Sequence, residues 1–332
     1  MLEHFFGSKS AEAEKPSADF ESVVTERYFE GWDEGFDIEG NPGLKERLRA
    51  NILYAEKENQ GQYEKIAKNL GMSVEELKKR LQERVADMVG RSDFFRATHV
   101  DVLEQVMLND GRWKSQFETA SSNGKLSPKF RAAAEMSMFA FNHDAAPGVT
   151  VKDFERGYAY VELPQKVMKH ASERRPIYGY FSDDTHGAIN ARGTIPPPNA
   201  VNQYGLVNFK IRRERALRKA TTTFQDSLDT ENESPPSPAV KPHFTSFKLG
   251  QEVKVRDFLK KATGPSVVTW APEYGGQYTE VQFHDQLTMD DVESIHLSAK
   301  NGVNQDEMEK VRRIFIEYKK LHPESTIQLI EF

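Results

Sequence analysis

Two short segments bring acids together with hydroxyls and an amide on stretches whose pattern predicts β-strands. In ATTTFQDSL at residues 220–228, Thr221 and Thr223 alternate with Thr222, so they share one face with Gln225 and lead directly to Asp226. In QYTEVQFHDQLTMDDVESI at residues 277–295, Glu280 stands among good strand formers, where an acid is disfavoured unless it faces water or a site. Carboxylates delivered to strand edges beside hydroxyls suit chemistry that passes through a sugar cation, whose charge a nearby acid stabilises. By residue type alone this is an acid and hydroxyl cluster, and no reaction is named by it.

Other chemistries find no support. The histidines His143, His170, His186, His243, His284 and His296 are scattered, and without an HExxH pattern no metal site is expected. GYFSDDTHG at 179–187 is too irregular for a dinucleotide-binding glycine loop, and no phosphate-binding GK[ST] loop exists. GxSxG is also missing, which speaks against a serine hydrolase. The chain has no cysteine, so disulfides, thiolate metal sites and cysteine nucleophiles are excluded.

The elements that must position these residues fall into two regions. A chain of 332 residues suits two domains, and an apolar share of 38% with 11% aromatics can fill a core. Residues 1–19 are small, polar and charged, and predict a flexible tail. Residues 20–92 are helical in pattern. Within them LKERLRANILYAEKE at 44–58 carries Leu44, Leu48, Ile52 and Leu53 on one face. The following segment to Val89 predicts two helices joined at Leu70-Gly71, the second capped by Ser73. Residues 93–332 form the second domain. Helices are expected at 98–110, 127–141 and 305–322, the last with Met308, Val311, Ile314, Phe315 and Tyr318 on one stripe. Strands are expected at IYGYF, LVNFKI, ATTTF, SVVTWA, YTEVQF and SIHLS, with IQLIEF as a final one. The Pro-rich stretches at 194–202 and 229–244 are expected to be exposed and mobile.

A net charge of −6 argues against a general nucleic-acid or membrane-surface binder. IAKNLGMSVEELKKRL at 66–81 has helix-turn-helix spacing, but its second helix opens with Glu75 and Glu76, which would oppose phosphates. A role in packing or protein recognition is the expectation there. No run approaches the roughly 18 apolar residues of a membrane span, and no signal peptide is visible, so a soluble protein is expected.

With GRWKSQFETASSNG at 111–124 and RPIYGYF at 175–181, the two acid segments make four motifs in order. Together they resemble the CteC-like family of bacterial mono-ADP-ribosyltransferases, over about Leu103 to Leu297. The patterns behind the likeness are R-P-x-Y-G, T-x-T-F-x-D-S, and E-x-Q-x-H followed by L-T-x-D-D-V. The resemblance implies an α+β fold, an ADP-ribosyltransferase-type split β-sandwich around an NAD cleft, preceded by the small helical domain. It implies Asp226 and Glu280 as the acid pair, with NAD consumed as substrate. Arg175, Tyr178, Gly179, Thr221, Thr223 and Gln282 would then line the cofactor cleft. Tyr178-Gly179 falls where such transferases grip the nicotinamide amide, and the threonine run falls where they shape its pocket. A threonine of ubiquitin is the implied acceptor, read by the helical domain and the Pro-rich loops. The use implied is that of an effector secreted into a host cell, or otherwise a cytoplasmic enzyme. Two positions depart from the family: Asp285 and Gln225 stand where glycine is common. The alternatives are a catalytically inactive binding protein on the same scaffold, or a helix-turn-helix DNA binder.

Overall fold

The structure is a computed structural model. It describes residues 29, 32–36, 38, 43–119, 135, 138–139, 175–183, 204–223, 236–243, 255, 259, 280–297 and 302–331. The N-terminal tail, Asp226, the stretch at 194–202 and the strand expected at 266–271 lie outside these residues. The architecture is mixed α+β: an N-terminal helical region followed by an eight-stranded mixed sheet.

After a single helical turn at Trp32–Gly35, the helical region is built on α1 (Leu44–Leu70), which buries Leu44, Leu48, Ile52, Ala55, Tyr63, Ile66 and Ala67 along one stripe. Sequence reasoning divides this stretch into two helices, and the structure joins them. Gly61 in its middle costs only about 1 kcal/mol against alanine, and the apolar stripe resumes at Tyr63. The helix stops at Gly71, whose φ of 69° is left-handed, and whose N–H reaches back to the final carbonyls. α2 (Val74–Arg91) starts as expected at Ser73, whose hydroxyl accepts from the Glu76 N–H at 3.1 Å. Leu77, Leu81, Val85 and Val89 form its buried stripe, at helical spacing.

The sheet runs in the order β5-β4-β6-β2-β1-β3-β7-β8. Its strands are β1 (Ser92–Thr98), β2 (Ile177–Asp183), β3 (Val207–Ile211), β4 (Ala220–Thr223), β5 (Ser237–Pro238), β6 (Glu280–Phe283), β7 (Val292–Leu297) and β8 (Gln328–Glu331). All neighbours pair antiparallel except β7 with β8. Strand alternation gives the sheet two unlike faces. Phe94, Phe209, Ile211, Ala220, Val281, Phe283, Ile295 and Leu297 lie in one apolar cluster with the stripe of α2, the C-terminal half of α1, Ala216 of α3 (Arg213–Lys219) and α4 (Gln305–Leu321). α4 contributes Met308, Val311, Ile314 and Tyr318, the stripe its sequence predicts, and is started by an Asn304/Glu307 capping box. A second cluster gathers Phe29, Trp32, Phe36, Leu44, Leu48 and Ile52 with Met138 and Phe139.

β1 is a strand that sequence reasoning passes over. Its pattern is short and lies between two helical stretches. The Pro-rich stretch is a second difference: residues 236–243, expected to be exposed, contain β5 and bury Ser237, Ala239 and His243. Proline is tolerated in a sheet only at an edge, and β5 is the edge strand beside β4. His243 Nε2 lies 3.1 Å from Glu56 Oε1 of α1, and Lys78 of α2 donates to Glu56 Oε2 at 2.6 Å. The segment is thereby fastened to both helices.

The turn after β6 is tied down as firmly. Asp291 accepts from Lys219 Nζ at 2.5 Å and from the Thr288 N–H at 2.8 Å, closing a capping box over a short 3-10 turn. The Trp113 N–H donates to the Leu287 carbonyl at 2.9 Å, and the Met289 N–H to the Gly111 carbonyl at 2.8 Å. The GRW and LTMDD motifs are therefore joined to each other by backbone bonds. Before this knot, Asp285 has φ 56° and Gln286 has φ 63°, both left-handed. Glycine would adopt this conformation without strain, and Asp285 occupies it at some cost. Replacing Asp285 by glycine should stabilise the protein by about 0.5–1 kcal/mol. A thermal melt showing no rise in midpoint would contradict strain at this turn.

Candidate active site

The residues that sequence reasoning selects meet at the middle of the sheet. β6 lies between β2 and β4, with Gln282 opposite both Tyr178 and Thr221, and Glu280 opposite both Tyr180 and Thr223. Residues paired in this way project from the same face. That face is the one turned away from the apolar cluster, and it is dry: Thr221, Thr223, Glu280, Gln282 and His284 are all buried, Glu280 at 2% exposure. Thr222 projects to the opposite face, as the alternation predicts, and is buried at 1%.

Buried polar groups must be hydrogen-bonded or they destabilise the fold. Here the bonds form a chain. Gln282 Nε2 donates to Glu280 Oε1 at 2.7 Å and to Thr223 Oγ1 at 3.0 Å. Thr221 Oγ1 donates to Gln282 Oε1 at 2.8 Å and lies 3.0 Å from His284 Nε2. Phe139 packs edge-on against the His284 ring, with centroids 5.1 Å apart.

A second buried carboxylate borders this chain. Glu135 accepts from Arg175 Nη1 at 2.6 Å through one oxygen and from the Tyr178 hydroxyl at 2.7 Å through the other. Arg175 and Tyr178, both expected in the cofactor cleft, therefore meet here on Glu135. Further along the same face Tyr180 donates to Asn208 Oδ1 at 2.9 Å and stacks on Phe95. Burial pushes the Tyr180 phenol well above its ordinary value, so it acts as a neutral donor.

Gly179 stands apart from its neighbours. Its position is on the apolar side, and a Cβ there would come within 2.2 Å of the Phe95 carbonyl oxygen and 2.8 Å of Phe283 Cε2. Close approach of the β1 backbone and a β6 side chain is thus a sufficient reason for glycine. Asp226 falls outside the described residues, so of the expected acid pair only Glu280 is located here. Two participants escaped sequence selection. His284 extends the period-2 series Glu280, Gln282, His284, which is a readable signal. Glu135 lies in the helix expected at 127–141, where no spacing relates it to β2.

No family profile matches the chain, and no curated protein matches it. Among the described residues, no three His, Asp or Glu are grouped to hold a metal ion, and no helix is long and apolar enough to cross a membrane.

The electrostatics of the face give a pH dependence. Burial lowers His284 from 6.5 to about 3 and, with help from Lys210, lowers His296 from 6.5 to about 4. Below pH 6.5 the unfolded chain binds protons that these folded imidazoles refuse. Their contribution to stability is complete above that value and is lost as the pH falls through the window below it. The slope per histidine is at most about 1.4 kcal/mol per pH unit. His296→Gln, which can keep a donor toward Ser294, should therefore lose less stability than wild type between pH 7 and 5. Parallel urea midpoints across that range would refute the assignment.

Proposed function

We propose that the chain is a mono-ADP-ribosyltransferase, folded as a split β-sandwich around an NAD cleft, and that Glu280 is its central acid. One observation carries the reading. The Tyr-Gly strand, the threonine strand and the Glu-x-Gln strand come from three separate parts of the sequence, and they are immediate neighbours in the sheet. Three of the four motifs behind the family resemblance thus place side chains on one buried polar face.

The reaction breaks the bond between the ribose C1′ of NAD and the nicotinamide nitrogen. Nicotinamide leaves with the bonding electron pair, and the ribose passes through an oxocarbenium-like state. An acceptor hydroxyl then forms the new C1′–O bond and gives up its proton. The Glu280 carboxylate accepts the ribose 2′-hydroxyl and stabilises the cation by its charge, an effect strengthened where water is excluded. Asp226 orients the acceptor or receives its proton. The acceptor proposed is a protein hydroxyl, with a ubiquitin threonine first, recognised by the helical region and the Pro-rich segments. Delivery into a host cell as an effector accords with that target.

A non-catalytic scaffold is the second reading, favoured by one specific feature. Arg175 and Tyr178, two of the expected cofactor contacts, are held by Glu135. Intact-mass measurement of ubiquitin after incubation with the protein and NAD separates the two. A gain of one ADP-ribose is expected, and the Glu280→Gln protein should lose roughly 10²–10³ in turnover while keeping its circular dichroism spectrum. If neither ubiquitin nor any lysate protein acquires label from NAD, the scaffold reading stands instead. Equal turnover in wild type and Glu280→Gln would remove Glu280 from the role.

A further inference from the structure

We infer that His284 is a positioning residue for Glu280, acting through Thr221 and Gln282 in a hydrogen-bond relay with one fixed direction. The inference rests on the transferase reading for its kinetic consequence, though not for its geometry.

The direction follows from counting protons. The structure places the Gln282 amide nitrogen 2.7 Å from Glu280 Oε1, and an amide nitrogen only donates. The same nitrogen has a second hydrogen for Thr223 Oγ1 at 3.0 Å. That orientation turns the amide oxygen toward Thr221, whose single hydroxyl proton must be donated to it, at 2.8 Å. Thr221 Oγ1 then has only lone pairs left for His284 Nε2 at 3.0 Å, so the imidazole must carry its proton on Nε2. The donor held against Glu280 thereby dictates the tautomer of a ring three hydrogen bonds away along the chain. Conversely, the Nε2–H of His284 is the donor that starts the chain and turns every later dipole toward Glu280.

The surroundings keep this arrangement fixed. His284 is buried at 1% exposure against Phe139, and its ring is neutral in the physiological range because burial opposes charge. Thr221 and Gln282 are fully buried and face each other in register across β4 and β6. Donors linked in series in a low-dielectric interior polarise one another, so the loss of one link weakens the donor that reaches the carboxylate. The expected effects are a less firmly oriented Glu280 and a carboxyl that is harder to ionise.

Matched substitutions on β4 test this. Thr221→Val removes the link with little change of shape and should lower the kcat of NAD cleavage roughly tenfold to a hundredfold, leaving KM nearly unchanged. It should also move the acid limb of the kcat profile to higher pH. Thr221→Ser restores the hydroxyl and should return kcat to near wild type. Thr222→Val makes the same chemical change one residue along, on the opposite face, and should leave kcat and the pH profile where they were. At the origin of the relay, His284→Gln should retain more activity than His284→Met, because only the former offers a donor. A Thr221→Val protein with wild-type kcat and acid limb overturns the inference, as does a serine variant no better than valine. Nitrogen NMR of the wild-type imidazole gives a test free of activity: the Nε2–H tautomer is required, and the Nδ1–H tautomer refutes the relay. Should the wild type cleave no NAD under any condition, the transferase reading fails, and the relay is then judged by that tautomer and by the titration of Glu280 in Thr221→Val.

Discussion

The hydrogen bond from Gln282 to Glu280 is the point on which the sheet's design turns. A carboxylate at 2% exposure on a central strand is costly to desolvate unless donors meet it. Those donors must come from the same face of the same few strands, because the other face is given over to the apolar cluster. Register is therefore fixed twice. A slip of one residue in β6 would carry Glu280 and Gln282 onto the face of the apolar cluster, and would move Val281 and Phe283 onto the polar face. Hydrophobic burial sets which face is which, and the polar chain sets which residues meet.

Much of the remaining structure serves to hold β4 and β6 still. At one end, Lys219 immediately before β4 is bonded to Asp291 and to the Gln286 carbonyl beyond β6, so the two strands cannot part there. At the sheet edge, β5 pairs with β4, and its following residues are locked to α1 and α2 through the buried Glu56 and His243 and the half-buried Lys78. Breaking such a buried ionic contact by removing one partner is far more damaging than never having it. Its structural effect is to transmit the placement of the helices to the threonine strand. The helices and the sheet share one apolar cluster for the same reason, which makes point substitutions cleaner probes of the site than removal of the helical region.

Legibility in the sequence followed the range of the interaction. Thr-x-Thr and Glu-x-Gln-x-His have a period of two, so a strand reading alone places their polar atoms on one face, and the structure agrees. Caps are equally local, which is why Ser73 and the stripe of α4 were readable. What could not be read depends on distant partners. Glu135 meets Arg175 and Tyr178 across 40 and 43 residues of sequence, and no spacing encodes that contact. The Pro-rich segment looks exposed by composition, yet an edge position beside β4 lets it be buried without demanding the N–H that proline lacks. The helix expected to end near residue 58 runs on through Gly61, whose small cost is outweighed by apolar residues on either side.

The same reasoning separates residues that a motif joins. Of the four motif segments, GRW is bound by backbone bonds to the LTMDD part of the Glu-x-Gln segment, which its own Asp291 capping box closes. Gly179 is demanded by the Phe95 carbonyl packed against it. These positions are explained by what the sheet needs in order to form. Glu280, Gln282 and His284 are not explained in that way, since valine, threonine and phenylalanine would fill a buried strand at less cost than a carboxylate, an amide and an imidazole. Three polar groups kept in a dry interior, satisfied in one direction and ending on an acid, are an expense that folding alone does not require, and that excess is the physical ground for placing chemistry on this face.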